Sequence, residues 1–219
     1  MTNLELQLRF EQRFRNHINK DLDIRTIDIE FYLNEGLDKF IEEWYKIFEY
    51  NESARKRLNP LVKYAILDTS TNGSHPRGRY FNLTENYRYI LQEEAQVSYN
   101  DCHGSPQTIR SSVKPVKLDY YNRHIHNPFK KPYRDLVWRL DIGNTDKRHE
   151  LIYGDDVTNI THYYLTYLAN PIKITLLTGT PETSNIEISE EFHEEVIDEA
   201  IKVALKTFEL NNITHPQTK

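Results

Sequence analysis

The chain has 219 residues, enough for one large domain or two small ones with a real core, and its 38% hydrophobic and 12% aromatic content excludes a disordered tail. Its mean hydropathy of −0.73 is polar for a self-contained globule, and its 15 tyrosines, against 7 glycines, suit surfaces that become interfaces. A single cysteine, Cys102, excludes an intrachain disulfide, "MTNLELQLRFEQRFRNH" is too charged for a signal peptide, and no apolar run nears the roughly 20 residues of a membrane span, so a soluble protein made in a reducing compartment is expected.

In chain order, Leu6, Phe10 and Phe14 recur every fourth residue and predict a helix over about 4–18. Leu33, Leu37, Phe40, Ile41, Trp44 and Phe48 form one stripe at helical spacing, predicting a second helix over about 27–49 with Asp28 and Glu30 near its positive end. Asn51 is placed to N-cap "ESARKRL". Asn59-Pro60 interrupts that helix, and "LVKYAI" is read as a short helical restart. Near residue 67 the period changes. "TSTNGSHPRGR" is a loop by composition, and the following "YFNLTENYRYILQEEAQVSY" and "KPVKLDYYNRHIHNPF" are rich in Tyr, Val and Ile and partly alternating. "YRDLVWRLDIG" and "RHELIYG" predict paired strands joined by "NTDK", and "THYYLTYLANPIKITLLTG" predicts extended chain broken at Asn170-Pro171. Ser189 is expected to cap a last helix, with Glu190, Glu191 and Glu194 in its first turns and Lys202 and Lys206 in its last. Phe192, Val196, Ile197, Ala200, Ile201, Val203, Ala204 and Phe208 give that helix a wide apolar face.

The fold class that follows is α+β, with N-terminal helices and a returning C-terminal helix in a bundle around a central, mostly antiparallel β insertion. The domains are drawn as 1–66 plus 185–212 (helical), 67–184 (β-rich) and a 213–219 tail.

Net charge is −5, unevenly spread. From Arg110 to Arg139 eight Lys/Arg against two Asp/Glu give +6, so the remainder carries −11. From Glu182 to Glu209 nine acids against two lysines give −7. Two such segments can attract each other within a chain or between copies. Arg123, Lys130, Lys131 and Arg134 on one side, and Glu194 and Glu195 on the other, are the interface candidates.

Tyr153-Gly154-Asp155-Asp156 matches the metal-binding hairpin of an RNA-dependent polymerase, but the chain is short for that fold and shows no partner aspartate, so a turn is expected. "HEEVI" at 193–197 has Ile197 where a zinc protease needs its second histidine. Cys102-His103, with His124 and His126, lacks the spacing of a metal site or a nucleophile pair. There is no Gly-rich phosphate loop. No catalytic residue, metal or cofactor is assigned, and a small metal-dependent nuclease or hydrolase using Asp155 and Asp156 with a histidine stands as one alternative, which predicts activity that disappears with chelator. The basic and aromatic residues interleaved over 77–139 support an alternative, a nucleic-acid-binding module.

Three segments carry a resemblance. "DIEFYLNEGLDKFIEEWYKIFEYNESARKRLNPLV" resembles the opening of tailed-bacteriophage head–tail adaptor proteins, where an apolar helix leads into a short helix carrying "R..L..L". "YYNRHIHNPFKKPYRDLVWRLDIG" resembles a middle segment, and "YYLTYLANPIKITL…ISEEFHEEVIDEAIKVALKTFE" the closing segment, of such neck-ring proteins from crAss-like podoviruses of gut bacteria. The set spans roughly 27–66, 116–142 and 160–209, and departs from the family at Gly36 and at Phe192, where leucine is expected and the change reads as harmless. The resemblance implies a structural virion protein. It would form a homo-oligomeric ring, expected to be a dodecamer, that connects the portal protein to other neck and tail proteins and lets viral DNA pass unread. It implies the neck or tail of the virion as its location, assembly in bacterial cytoplasm and no membrane contact.

Overall fold

The computed structural model of the chain describes residues 1–18, 24–68, 70–83, 86–140, 148–176 and 186–214. In order its elements are α1 Asn3–Ile18, α2 Thr26–Tyr45, α3 Glu52–Leu58, β1 Val62–Leu67, β2 Ser70–Asn72, β3 Gly78–Asn82, β4 Tyr87–Asn100, β5 Pro106–Val116, α4 Leu118–His124, β6 Leu136–Leu140, β7 Arg148–Ile152, β8 Asn159–Ala169 and α5 His193–Thr214. Single 3-10 turns stand at Asn59–Leu61 and Glu190–Phe192. The chain is α+β and divides into two units, Met1–Leu61 with Pro171–Lys219, and Val62–Asn170.

The helical unit is held by the predicted stripes. α1 buries Leu6, Phe10 and Phe14; α2 buries Ile29, Leu33, Leu37, Phe40 and Ile41; α5 buries Val196, Ile197, Ala200, Ile201, Val203 and Ala204. α5 packs back on α2 and α1, as its apolar face requires. α2 ends at Tyr45, short of the expected 49, and a run of turns leads to Asn51. Asn51 caps α3 as expected, accepting the Ser53 N–H at 2.8 Å and the Ala54 N–H at 3.3 Å. Ser189 caps by its backbone only: its carbonyl accepts the Phe192 N–H at 2.9 Å, while its side chain makes no cap bond. Because α5 runs to Thr214, Lys202 and Lys206 sit mid-helix instead of in the last turn. Asn34 on α2 holds the segment after Pro171, since its Nδ2 donates to the Ile174 carbonyl and its Oδ1 accepts the Ile174 N–H, both at 2.9 Å.

The sheet unit corrects the expected restart at "LVKYAI". After one 3-10 turn the chain becomes strand β1, which pairs antiparallel with β8 from Val62↔Leu168 to Leu67↔Tyr163. Its alternation decides the matter: Leu67 is buried and Ala65 packs on the core, while Tyr64 and Ile66 stay exposed. The predicted strands β6 and β7 do pair, with Trp138 opposite Ile152; "NTDK" lies outside the described residues. A second correction falls in "KPVKLDYYNRHIHNPF", which is strand only to Val116 and then helix α4, because Tyr121 drops into a cluster with Val116, Trp138, Leu140 and Ile152.

Strand order is β1-β8-β4-β5-β6-β7-β3-β2, antiparallel throughout except for the parallel β5–β6 pair that α4 bridges. The edge strands β1 and β2 are neighbours in sequence, Leu67 to Ser70, so their joined ends lie within about 11 Å of each other. The sheet must therefore curl back on itself, and the three register shifts along β4 against β8 supply bends for doing so. Phe81, Ala95, Val97, Val137, Leu151, Ile160 and Leu165 fill its core.

Candidate functional site

The quartet at 153–156 follows β7 as a turn, with the Val157 N–H donating to the Gly154 carbonyl at 3.3 Å. A Cβ on Gly154 would stand 2.4 Å from the Pro132 carbonyl oxygen, so glycine alone admits the passing segment. Asp155 pairs with Arg77 and with Lys131, the latter at 2.5 Å. Asp156 accepts the Arg134 N–H at 3.0 Å. Two aspartates that share a cation aim their oxygens at one point. These two serve separate partners, one neutralised by two cations and the other bracing a loop.

The remaining histidine and cysteine motifs fall apart in the same way. His193 is buried at the start of α5 and donates Nε2–H to the Ile188 carbonyl at 2.9 Å, and burial lowers its pKa. Ile197 is core. Cys102 is exposed at the β4–β5 hairpin tip, where Asp101 accepts the His103 and Ser105 N–H groups. His124 lies against Tyr120 in α4, the ring centres 4.4 Å apart and the planes tilted by 60°. Among the described residues no three His, Cys, Asp or Glu side chains gather as a metal would need, and no helix is long and apolar enough to cross a membrane.

The interface candidates separate into occupied and open groups. Glu194 receives Arg9 and Arg13, and Arg13 also reaches Asp198. Arg57 forks onto Glu195 at 2.7 and 3.1 Å. Lys56 reaches Glu191 at 3.2 Å, the chain's amino group Glu190 at 2.5 Å and Lys202 Glu199 at 2.5 Å, while Glu187 accepts the Ile172 N–H at 3.3 Å. Every acid from Glu187 to Glu199 thus has a partner in its own chain. On the basic side, Lys131 holds Asp155, and Arg134 lies 5.4 Å over the Tyr99 ring with Asp135 at 3.8 Å. Arg123 and Lys130 are exposed, and among the described residues neither meets a carboxylate. Several aromatic rings of the 77–139 region are covered, Tyr80 by Arg148 at 4.2 Å, Tyr99 by Arg134 at 5.4 Å and Tyr120 by Lys114 at 5.2 Å, while Phe129 and Tyr133 are exposed. Rings capped by the protein's own cations are not free platforms for bases.

Arg139, one of the eight cations of the basic segment, is not at the surface at all. It is buried in the sheet unit, 3.0 Å from Glu93. Tyr163 donates its hydroxyl proton to the same carboxylate, so the His149 Nδ1–H donates to the Tyr163 oxygen at 2.9 Å, and Nε2 accepts the Tyr87 hydroxyl at 3.2 Å. This assignment makes His149 neutral, and burial, with Arg139 adding to it, pushes its pKa down to about 3. Burial, and then Glu93, raises the Tyr163 phenol well above its ordinary range. A second buried carboxylate, Glu150, accepts the His75 backbone N–H at 2.8 Å and faces His75 Nδ1 at 2.9 Å, fixing the loop before β3.

Residues 32–214 match the family described as phage tail ring protein 3/4. The chain belongs to that family. Ring protein 3 of Bacteroides phage crAss001 is 26% identical over 171 residues, covering 73% of this chain and 72% of that protein. The resemblance carried by the three segments is therefore borne out: this is a crAss-like phage ring protein, a structural component of the virion. The matched span runs from α2 to the end of α5, so α1 precedes it.

Both departures noted in the sequence have structural work in this ring-family chain. At Gly36 an added Cβ would stand 2.5 Å from the Ala200 nitrogen and 2.6 Å from its Cα, so α2 and α5 touch backbone to backbone there. Phe192 is not a neutral replacement for leucine. The Arg57 guanidinium lies 4.5 Å from its ring and 4.1 Å from that of Trp44, sandwiched while its fork holds Glu195. Sequence reasoning missed Arg57 because the three residues it joins lie on α2, the 3-10 turn and α5. The only signal available was an arginine in a short helix facing an acidic one.

Proposed function

We propose that the chain assembles with identical copies into a ring in the neck of the virion, joining the portal to the tail, with the DNA passing unread through the channel. Twelve copies is the expected number, and assembly in the host cytoplasm accords with the single exposed thiol. One observation carries the reading: the family match runs unbroken across both units, from α2 through the sheet to α5. The role is structural rather than enzymatic, in keeping with a family of ring components and with an Asp155 already neutralised by Arg77 and Lys131.

A ring contact is heterologous, one face of a copy meeting a different face of the next. Of the six charged residues proposed for those faces, Lys131, Arg134, Glu194 and Glu195 already hold partners in their own chain. A contact through any of these four has to displace an existing pair for little net gain, since exposed pairs are worth about 0–1 kcal/mol. The test is electron microscopy of particles carrying an affinity-labelled copy of the chain, imaged beside portal-containing assemblies built without it. Label confined to a ring below the portal is the expected result. Label on the capsid shell or fibre tips, or particles with an intact neck in its absence, overturns the reading.

A further inference from the structure

Four cations of the sheet unit stand together, and among the described residues none of them is in an ion pair. Lys114 and Lys117 flank the end of β5, Arg123 lies on α4, and these three line a concavity of about 350 Å³ with Tyr120 and His124. Lys130 follows α4 through two successive turns, the Asn127 N–H donating to the His124 carbonyl at 3.0 Å and the Lys130 N–H to the Asn127 carbonyl at 3.1 Å. Burial, then Lys130, Arg123 and Lys114, lower the His124 pKa. All four cations are exposed, and among the described residues none has a carboxylate at ion-pair distance; Asp119, the concavity's one acid, pairs with none of them. By contrast Arg77, Arg110, Lys131, Arg134 and Arg139 each meet a carboxylate in the same unit. The patch stands on a firm base, because Tyr121 is buried under α4 and Tyr120 packs edge-on against buried Trp138 at 5.5 Å.

We infer that this patch is a phosphate-binding surface for double-stranded DNA, gripping the backbone of the strand pair that threads the ring. The inference rests on the proposed ring only for its choice of duplex DNA as the occupant. Three of the four cations are lysines, which protein interfaces deplete and phosphate contacts employ. Inside the concavity the one tyrosine ring, Tyr120, is already covered by Lys114, and the exposed Phe129 beside Lys130 is not among the residues that line it. The acidic segment of a neighbouring copy is a poor occupant, because its described acids are engaged at home. Duplex DNA presents one charge per roughly 1.7 Å of axis, so several cations in one concavity meet several phosphates at once. Contacts of this kind hold without reading sequence, as DNA in transit requires.

The experiment uses the full chain and a short labelled DNA duplex, with affinity followed by fluorescence anisotropy as salt is raised. Each lost phosphate contact lowers the slope of log affinity against log salt by about 0.9. The set Lys117→Gln, Arg123→Gln and Lys130→Gln is expected to lower that slope by about 2.7, removing about a 40-fold share of the affinity lost between 50 and 200 mM salt. The charge-keeping set Lys117→Arg, Arg123→Lys and Lys130→Arg is expected to retain the slope, which separates lost charge from lost folding. The same Gln set is also scored for incorporation into particles, where wild-type levels are expected. An unchanged slope in the Gln set, or no wild-type DNA binding at low salt, overturns the inference. So does loss of incorporation by the Gln set, which would make the patch a docking site for an acidic neck protein. Absence of the wild-type chain from particles defeats the ring reading instead and leaves the DNA measurement standing by itself.

Discussion

In the helical unit the segment that looks most charged has almost no charge to offer, since each acid from Glu187 to Glu199 is held by Arg9, Arg13, Lys56, Arg57, Lys202, the amino terminus or a backbone N–H. In the sheet unit the eight cations of the basic segment are divided: Arg139 is buried on Glu93, Arg110 meets Glu94, Lys131 holds Asp155 and Arg134 meets Asp135. Lys114, Lys117, Arg123 and Lys130, on and beside α4, have no ion pair among the described residues. The interiors differ as well. Among the described residues the helical core is apolar but for His193, whereas the sheet interior threads a hydrogen-bonded chain through Tyr87, His149, Tyr163, Glu93 and Arg139. The contrast teaches that net charge over a segment says how much charge is present, not how much is available to a partner.

The comparison breaks most sharply if the helical interior accepts a charge. Val196 is fully buried on α5, and Val196→Asp is expected to cost about 5 kcal/mol, seen by circular dichroism as loss of the cooperative melt. A soluble variant that melts like wild type would show that α5 is not core. The sheet interior should instead fail with acid. A histidine held at about 3 in the fold and near 6.5 unfolded contributes stability that is fully present above pH 6.5 and lost as pH falls. The expected loss is about 1.4 kcal/mol per unit, between 4 and 5 kcal/mol by pH 3. Urea titrations at falling pH should therefore be steeper for wild type than for His149→Gln, and parallel curves would place His149 outside the buried chain.

Smaller effects sharpen the same contrast. Gly36→Ala gains up to about 1 kcal/mol of helix propensity, yet its methyl meets the Ala200 backbone, so a net loss of about 1–3 kcal/mol is expected in thermal melts. A stabilised variant would mean that the two helices can part at no cost. Glu194→Lys with Glu195→Lys breaks the pairs to Arg9, Arg13 and Arg57 at about 1 kcal/mol each. If these acids met the next copy, the reversal would restore ring incorporation lost on Lys130→Glu with Lys131→Glu. Their own-chain partners predict no restoration. Smallest of all, Asp155→Asn with Asp156→Asn is expected to cost less than about 1 kcal/mol and to leave assembly unchanged, measured by melting temperature and particle yield.

Helix existence and facing were legible because a period of 3.6 is written locally. Leu6, Phe10 and Phe14 of α1, Leu33, Leu37, Phe40 and Ile41 of the α2 stripe, and Val196, Ile197, Ala200, Ile201, Val203 and Ala204 of α5 are buried as their spacing requires. Trp44 and Phe208 are half-buried, and Phe48 falls past the end of α2. The cap at Asn51, the β6–β7 pairing and the turn at Gly154 were legible for the same reason, being decided within a few residues. "LVKYAI" was misread because six apolar-rich residues suit a helix or a strand equally, and only β8 beside them settles the choice. α4 was missed because its deciding contact, Tyr121 against Trp138 and Ile152, joins three separate elements.

By itself the sequence determined the helical stripes, the position of the charges, the absence of a phosphate loop and the set of segments that mark the ring family. The tertiary structure alone decided which charges cancel, why Gly36 is tolerated within a helix, how Arg57 joins Trp44 to Phe192, and which cations on and beside α4 are left without an ion pair among the described residues. Periodicity and turn chemistry are properties of neighbours along the chain, whereas an ion pair, a close helix contact or an unpaired cation depends on residues brought together from far apart in it.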